Sequence, residues 1–281
     1  MRAILILFVM ILLAGCTQER QLTGLTVDVS YQREVYYGKD FTVNVRVENN
    51  FKKEVKNIFI EFKNIDILNF KKIEKCERGK IVGYGCKIDM LEPGDESEIV
   101  FLFNMPKEID ILGGQETVKP ELRVSYDFSG QTIVYIPIFG EKYKNDIPIK
   151  TTQSEGPIKV NVDVPVQSSV KSGDIIPIEV SIYGSDEDNV IKKDDFSIRL
   201  TNLQVYTGDG ETNCDFRIIS ETTLGLEDDF SLKGNKKLGC LLRASNVESY
   251  KFDYGMILID YRYNYKIVNF LEIMPTRKLG R

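Results

Sequence analysis

The sequence predicts an all-β protein made of two tandem antiparallel β-sandwiches behind a cleaved N-terminal signal. Three observations carry that expectation. Apolar and polar residues alternate with a period of two through most of the 281 residues, with no long stretch of helical periodicity. A strand with one face in a core and one face in water requires that pattern. The alternation recurs at an offset of 135 residues, and five cysteines are spread so that one closes the N-terminal apolar run and two fall in each copy of the repeat.

The N-terminus comes first. Met1 and Arg2 precede an unbroken apolar run from Ala3 to Leu13, followed by Ala14, Gly15 and Cys16. Eleven helical residues cover about 16 Å, roughly half the hydrocarbon thickness of a bilayer, so the run is too short for a stable span. One cation, a short apolar region and small residues before the cut make residues 1–15 a signal peptide. Leu13-Ala14-Gly15-Cys16 resembles the lipobox of exported lipoproteins. That resemblance implies that Cys16 is lipidated and becomes the mature N-terminus, with residues 16–23 as a polar tether. The partner implied for this end of the chain is a membrane, and the location is its extracytoplasmic face.

The strands follow in order. Leu25, Val27 and Val29 alternate, then Phe41, Val43, Val45 and Val47, then Ile58, Ile60 and Phe62, then Ile99, Phe101 and Phe103. Val160, Val162 and Val164 start the second series, followed by Ile176, Ile178, Val180 and Ile182. Clusters such as Pro93-Gly94-Asp95 and Gly208-Asp209-Gly210 punctuate the strands as turns. Shifting the chain by 135 superimposes the first and second rows, sets Gly38 on Gly173, and places Leu122, Val124, Tyr126 and Phe128 on Ile257, Ile259, Tyr261 and Tyr263. The repeat sets sandwich 1 at residues 24–141 and sandwich 2 at residues 157–275. Residues 142–156 are polar, hold Pro148 and end before Pro157, which reads as a linker, and residues 276–281 read as a basic tail. Ser129-Gly130 and Asn264 read as turns of C-terminal hairpins in the two copies.

Four cysteines beyond Cys16 allow three pairings. Cys76 with Cys86 and Cys214 with Cys240 keeps each bridge inside one copy, and bridges of this kind persist mainly outside the reducing cytosol. A zinc site is disfavoured because the Cys-x2-Cys spacing and every histidine ligand are missing.

Gly38-x-x-Phe41-x-Val43-x-Val45-x-Val47-x-Asn49, then Leu91-x-Pro93-Gly94, then Ile99-x-Phe101-x-Phe103-x-x-Pro106, resembles the immunoglobulin-like CARDB-type domains of archaeal and bacterial surface proteins. In the second copy only Gly173 and the strand after it share the pattern. The resemblance implies immunoglobulin-like sandwiches and a role in adhesion or display at a cell surface, and it carries no binding residues over.

Composition narrows the chemistry further. With no histidine in the chain, Ser-His-Asp and Cys-His catalysis are excluded. A net charge of -5 argues against nucleic acid as a partner. The basic and aromatic stretch from Phe51 to Lys80 is diluted by Glu54, Glu61, Asp66, Glu74 and Glu77, which fits solvated strand faces. Asp186, Asp188, Asp194 and Asp195 form a weak calcium candidate in an inter-strand loop, interrupted by Lys192 and Lys193. A second, weaker one comprises Asp209, Glu211, Asn213 and Asp215. No other cofactor is expected. Tyr31, Tyr36, Tyr37, Tyr261, Tyr263 and Tyr265 offer a candidate carbohydrate-contact face. Nothing in spacing selects a catalytic pair from the 42 acids, so no enzymatic activity is expected. The sequence therefore favours a lipid-anchored, non-enzymatic interaction, adhesion or display module whose partner is a surface protein or glycan. The alternative is a solute- or glycan-binding accessory lipoprotein.

Overall fold

The computed structural model describes residues 24–107, 117–165, 170–184, 190–208, 211–232 and 234–276. The signal peptide, Cys16 and the tether lie outside the described residues. The first copy contains β1 (Leu25–Tyr31), β2 (Glu34–Tyr36), β3 (Asp40–Asn49), β4 (Val55–Lys63), β5 (Asn69–Cys76), β6 (Lys80–Val82), β7 (Gly85–Leu91), β8 (Glu96–Asn104) and β9 (Glu121–Phe139). There follow β10 (Lys150–Gln153), β11 (Lys159–Asp163), β12 (Val170–Lys171), β13 (Ile175–Gly184), β14 (Val190–Ile191), β15 (Phe196–Thr201), β16 (Leu203–Val205), β17 (Thr207–Gly208) and β18 (Glu211–Thr212). The last are β19 (Arg217–Ser220), β20 (Thr223–Gly225), β21 (Phe230–Ser231), β22 (Gly234–Ala244), β23 (Phe252–Phe270) and β24 (Met274–Thr276). A single 3-10 turn, Lys193–Asp195, is the only helical element among the described residues.

The period-two rows become strands because each buries one face. In β3, Phe41, Val43, Val45 and Val47 are at most 4% exposed, while Thr42, Asn44 and Arg46 turn outward. The equivalent β13 buries Ile176, Ile178, Val180 and Ile182. Turn chemistry fits as well: Pro93 and Gly94 occupy the centre of a turn closed by the Asp95 N–H on the Glu92 carbonyl at 3.0 Å, and Gly94 has a φ of 80°. That is the type II arrangement, in which the third residue must be left-handed. Buried Asn49 holds the neighbouring chain. Its amide donates to the Lys53 and Leu91 carbonyls, both at 2.9 Å, and its oxygen accepts the Phe51 N–H at 3.0 Å.

One four-stranded sheet runs β1-β3-β8-β5, and a second, in the same relative order, runs β11-β13-β22-β16. Each packs on a larger sheet of order β19-β20-β15-β23-β9-β4-β7-β6, to which β10 and β12 also attach along β9. That order reads from its centre outward as the same series of strands twice. The centre is the pairing of β9 with β23, unbroken from Glu121 opposite Phe270 to Phe139 opposite Phe252. Nineteen residues extend about 65 Å at the rise of an antiparallel strand. Phe128 pairs with Tyr263, and the sequence repeat relates the same two residues, so a pseudo-two-fold axis passes between them.

This pairing corrects several expectations. Ser129-Gly130 and Asn264 are not hairpin turns but mid-strand positions of β9 and β23. Gly130 is there for space: a Cβ on it would lie 2.1 Å from the ring of Tyr261, its cross-strand partner. An aromatic ring laid over a glycine on the adjacent strand completes the local packing that glycine leaves open. The boundary at residue 141 is also blurred, because the second half of β9 extends over the second copy's core, where the Thr132 hydroxyl donates to the Val160 carbonyl at 2.9 Å. The expected linker is not a free tether: its residues 150–153 form β10 on the edge of β9. Thr276, assigned to the tail, belongs to β24, which pairs in parallel with β2 of the first copy. The edge of the long β9 captures residues 150–153, and the short β2 captures Thr276, so segments whose composition alone looks unstructured become strands.

Replacing Gly130 by Ala should therefore lower stability by about 1–3 kcal/mol, the cost of overpacking a filled interior. Chemical denaturation compared with Ser129→Ala, an outward-facing neighbour that should change little, reads this out.

Candidate functional site

Both four-stranded sheets cover the same face of the large sheet, because the inward residues of β9 (Leu122, Val124, Tyr126, Phe128, Val134, Ile136) and of β23 (Ile257, Ile259, Tyr261, Tyr263) belong to one continuous core. The opposite face of this strand pair turns outward. Near the pseudo-two-fold it is polar, with Asp127, Ser129 and Gln131 facing Asn264, Arg262 and Asp260 across the pair. Asn57 and Asn264 donate to the two carboxylate oxygens of Asp127 at 2.8 and 3.0 Å. Gln131 and Arg199 hold the two oxygens of Asp260 at 2.8 and 2.5 Å.

These residues floor a groove in two lobes of about 630 and 880 Å³ that share Lys53, Ser129, Asp195 and Arg262 in their walls. Lys53 lies 3.9 Å above the ring of Phe128, and partial burial lowers its pKa below the ordinary lysine value. Arg262 and Lys192 make no ion pair among the described residues. The floor thus presents two separate carboxylates, each already holding two donors, beside the cations Arg262 and Lys192.

Further along the same strands the outward face changes character. Ile133 stands opposite Leu258, Tyr135 opposite Met256 and Pro137 opposite Tyr254, ending at Phe252, which is 39% exposed. Tyr135 and Tyr254 meet edge to face at 6.2 Å, and Phe252 joins Tyr254 at 5.6 Å and Tyr143 at 5.3 Å. The repeat supplies an internal control. Met256 and Leu258 occupy the positions that Glu121 and Arg123 hold in the first copy, where those two form an ion pair at 2.6 Å. Glu121 is only 8% exposed and is held by Arg123 and by the Asn64 amide, so the first copy keeps a buried, paired charge where the second carries apolar side chains.

The residues singled out from sequence fall as follows. Cys76 is bonded to Cys86 and Cys214 to Cys240. The first bridge joins β5 of the small sheet to β7 of the large one, and the second holds the excursion after β18 against β22. Cys16, Asp186 and Asp188 lie outside the described residues, as does Asp209. Asp194 and Asp195 sit in the 3-10 turn at the groove wall, and Asp194 faces Arg217 at 3.8 Å. Among the described residues no three His, Cys, Asp or Glu side chains converge as metal ligands. Asp215 instead accepts the Gly239 N–H at 2.7 Å, a structural bond. The tyrosine face is not assembled: Tyr261 and Tyr263 are 1% and 4% exposed and point into the core. The cations of the basic stretch are paired across strands, Lys71 with Asp40, Lys75 with Glu98 and Arg78 with Asp95, each at 2.6 Å. Arg262, Asp260 and Gln131 were missed because they flank the positions read as turns; the recurrence of alternation on both sides of Gly130 was the available signal.

Neither protein-family models nor curated protein sequences match this chain. Among solved structures, the secreted serine protease VesC from Vibrio cholerae is 13% identical, with 89% of this chain and 53% of that one covered at a TM-score of 0.25. Red sea bream transglutaminase is 11% identical, with 94% and 34% covered at 0.24. A putative secreted protein from Eubacterium rectale is 10% identical, with 91% and 73% covered at 0.23. The chain thus spans about half of the first and a third of the second.

Two measurements check the chemistry of the core and its bridges. Burial raises the pKa of Tyr126, Tyr261 and Tyr263 above the ordinary 10.0. The unfolded chain ionises these hydroxyls near pH 10 while the folded one keeps them protonated, so stability should fall as pH rises through and above that value. In an ultraviolet titration these three of the 14 tyrosines should ionise only on unfolding. Replacing Cys76 and Cys86 together by Ser should cost about 3 kcal/mol, seen as a lowered melting temperature.

Proposed function

We propose that this protein is a non-enzymatic module, anchored through a lipidated Cys16 on the extracytoplasmic face of a membrane, that presents the outer face of its large sheet to another surface protein. The observation that carries this reading is the outward apolar stretch of Ile133, Tyr135, Tyr254, Met256 and Leu258 over the second copy, at positions two of which are charged in the first. These side chains are half-buried and contiguous, and contiguous apolar patches that water still reaches mark protein contacts. The two disulfides support an oxidising location. The long central pair supports rigidity, since a partner meets a surface that loses little freedom on binding.

The groove favours a second reading, in which a glycan or small solute is held. Polar groups converge there from both central strands, and Arg262 offers a donor fork to a carboxylate or hydroxyl pair.

The readings separate by mutation. On intact cells, Met256→Glu with Leu258→Arg, which installs the first copy's residues, should abolish crosslinking to a protein partner while a cooperative melt is retained. Arg262→Ala should leave crosslinking unchanged; if it instead removes binding of soluble glycans, the groove is the working site. Mass spectrometry of the membrane fraction tests the anchor, because an unmodified N-terminus beyond Cys16 contradicts it.

A further inference from the structure

The large sheet ends in two strands that are bonded on one side only among the described residues, β6 against β7 and β19 against β20. Both ends are apolar and exposed. Ile81 is 56% exposed, Val82 49% and Tyr84 69% at one edge, and Ile219 is 55% exposed at the other. We propose that these two edges pair with each other between copies of this chain, so that the molecules join head to tail into one continued sheet. The proposal goes beyond the outer-face contact and does not depend on it.

Direction allows the join. Every neighbouring pair from β19 to β6 is antiparallel, and eight strands in strict alternation leave the two edge strands running in opposite senses. Repeating the molecule along the sheet therefore sets β19 of one copy antiparallel to β6 of the next. The edge at β6 is also held ready. Val82 and Gly85 close a two-residue loop in which Gly83 has a φ of 59°. In such a hairpin the closing pair exchanges both bonds, so the alternate residue Ile81 turns its N–H and C=O outward. Its cross-strand neighbour Cys86 is fixed by the bridge to Cys76.

Charge bears on which edges meet. Residues 213–229, around β19, carry five anions against Arg217 alone, so two β19 edges would bring like charges together. Around β6 the charges balance, with Lys75, Arg78 and Lys80 held by Glu98, Asp95 and Asp89, so β6 meets β19 without that repulsion. Each edge is only three or four residues long, and the β19–β20 pairing has a bulge between Ile218 and Ser220. Short, irregular edges limit affinity, so association belongs to high local concentration, as on a surface where all copies are held in one plane. A head-to-tail contact of this kind extends into rows rather than closing as a dimer.

The test uses the full chain in non-ionic detergent, followed by sedimentation velocity across a concentration series. The unaltered protein should form a ladder of species that lengthens as concentration is raised. Ile81→Pro, which removes the outward N–H of β6, and Ile219→Lys, which sets a charge in place of the exposed apolar side chain of β19, should each reduce association at least tenfold. Mixed in equal amounts, the two variants should yield a dimer and nothing larger, because each retains the edge that the other lacks. A wild-type chain that stays monomeric, a single variant that still dimerises, or a mixture that stays monomeric would each overturn the proposal. If the proline variant loses its cooperative melt, Ile81→Asp, which sets an anion against the anionic β19 edge, takes its place and the same outcomes apply.

Discussion

The antiparallel pairing of β9 with β23 is the constraint on which the rest of the molecule depends. A ladder of nineteen residues on each side fixes register at every position, because a slip of one would turn the whole inward row outward. It leaves the two small sheets no choice of side: both cover the face to which Tyr126, Phe128, Tyr261 and Tyr263 point. The result is one core shared by two copies, and an opposite face that carries the groove near the pseudo-two-fold. Gly130 makes the continuity possible by leaving room for Tyr261 at the place where the two copies meet.

Pseudo-symmetry separates what the fold requires from what it permits. The inward rows of β3 and β13 match, as do the left-handed glycines Gly38 and Gly173 with φ of 70° and 82°. These positions answer to packing and to backbone geometry, and both copies retain them. The outward positions diverge from Glu121 and Arg123 to Met256 and Leu258, and the bridges attach at unlike places. One disulfide spans the two sheets of a sandwich; the other pins an excursion to a strand of the small sheet. Divergence on an otherwise duplicated scaffold is where function has room to differ between the copies.

The many surface ion pairs contribute less to stability than their number suggests. Arg46 with Glu96, Lys71 with Asp40 and Lys237 with Glu179 are all substantially exposed, and pairs of this kind are worth about 0–1 kcal/mol each. Burial of apolar side chains and the satisfied amide of Asn49 hold the sandwiches together. Charge acts instead through its distribution, with an anionic surplus around β19 at one edge of the large sheet.

How much was legible in the sequence follows from which interactions are local. Alternation with a period of two depends only on the chain's own neighbours, so the rows Phe41 to Val47 and Ile176 to Ile182 identified all-β sandwiches and the repeat without any structure. Turn glycines such as Gly94 are equally local. Cysteine parity restricted the bridges to three pairings, and the repeat then selected one. Distant partners were another matter. Ser129-Gly130 carries turn chemistry, and only the ring of Tyr261, 131 residues further along the chain, turns that glycine into a mid-strand position. Residues 150–153 become a strand only because β9 offers an edge. The same step moved Tyr261 and Tyr263 from a presumed surface into the core and brought Arg262, Gln131 and Asp260 onto one face. Sequence by itself determined which residues share a face within each strand, because that is set by the backbone's two-residue period. Tertiary structure decided which strands meet, because pairing across more than a hundred residues depends on shape and register that no local pattern encodes.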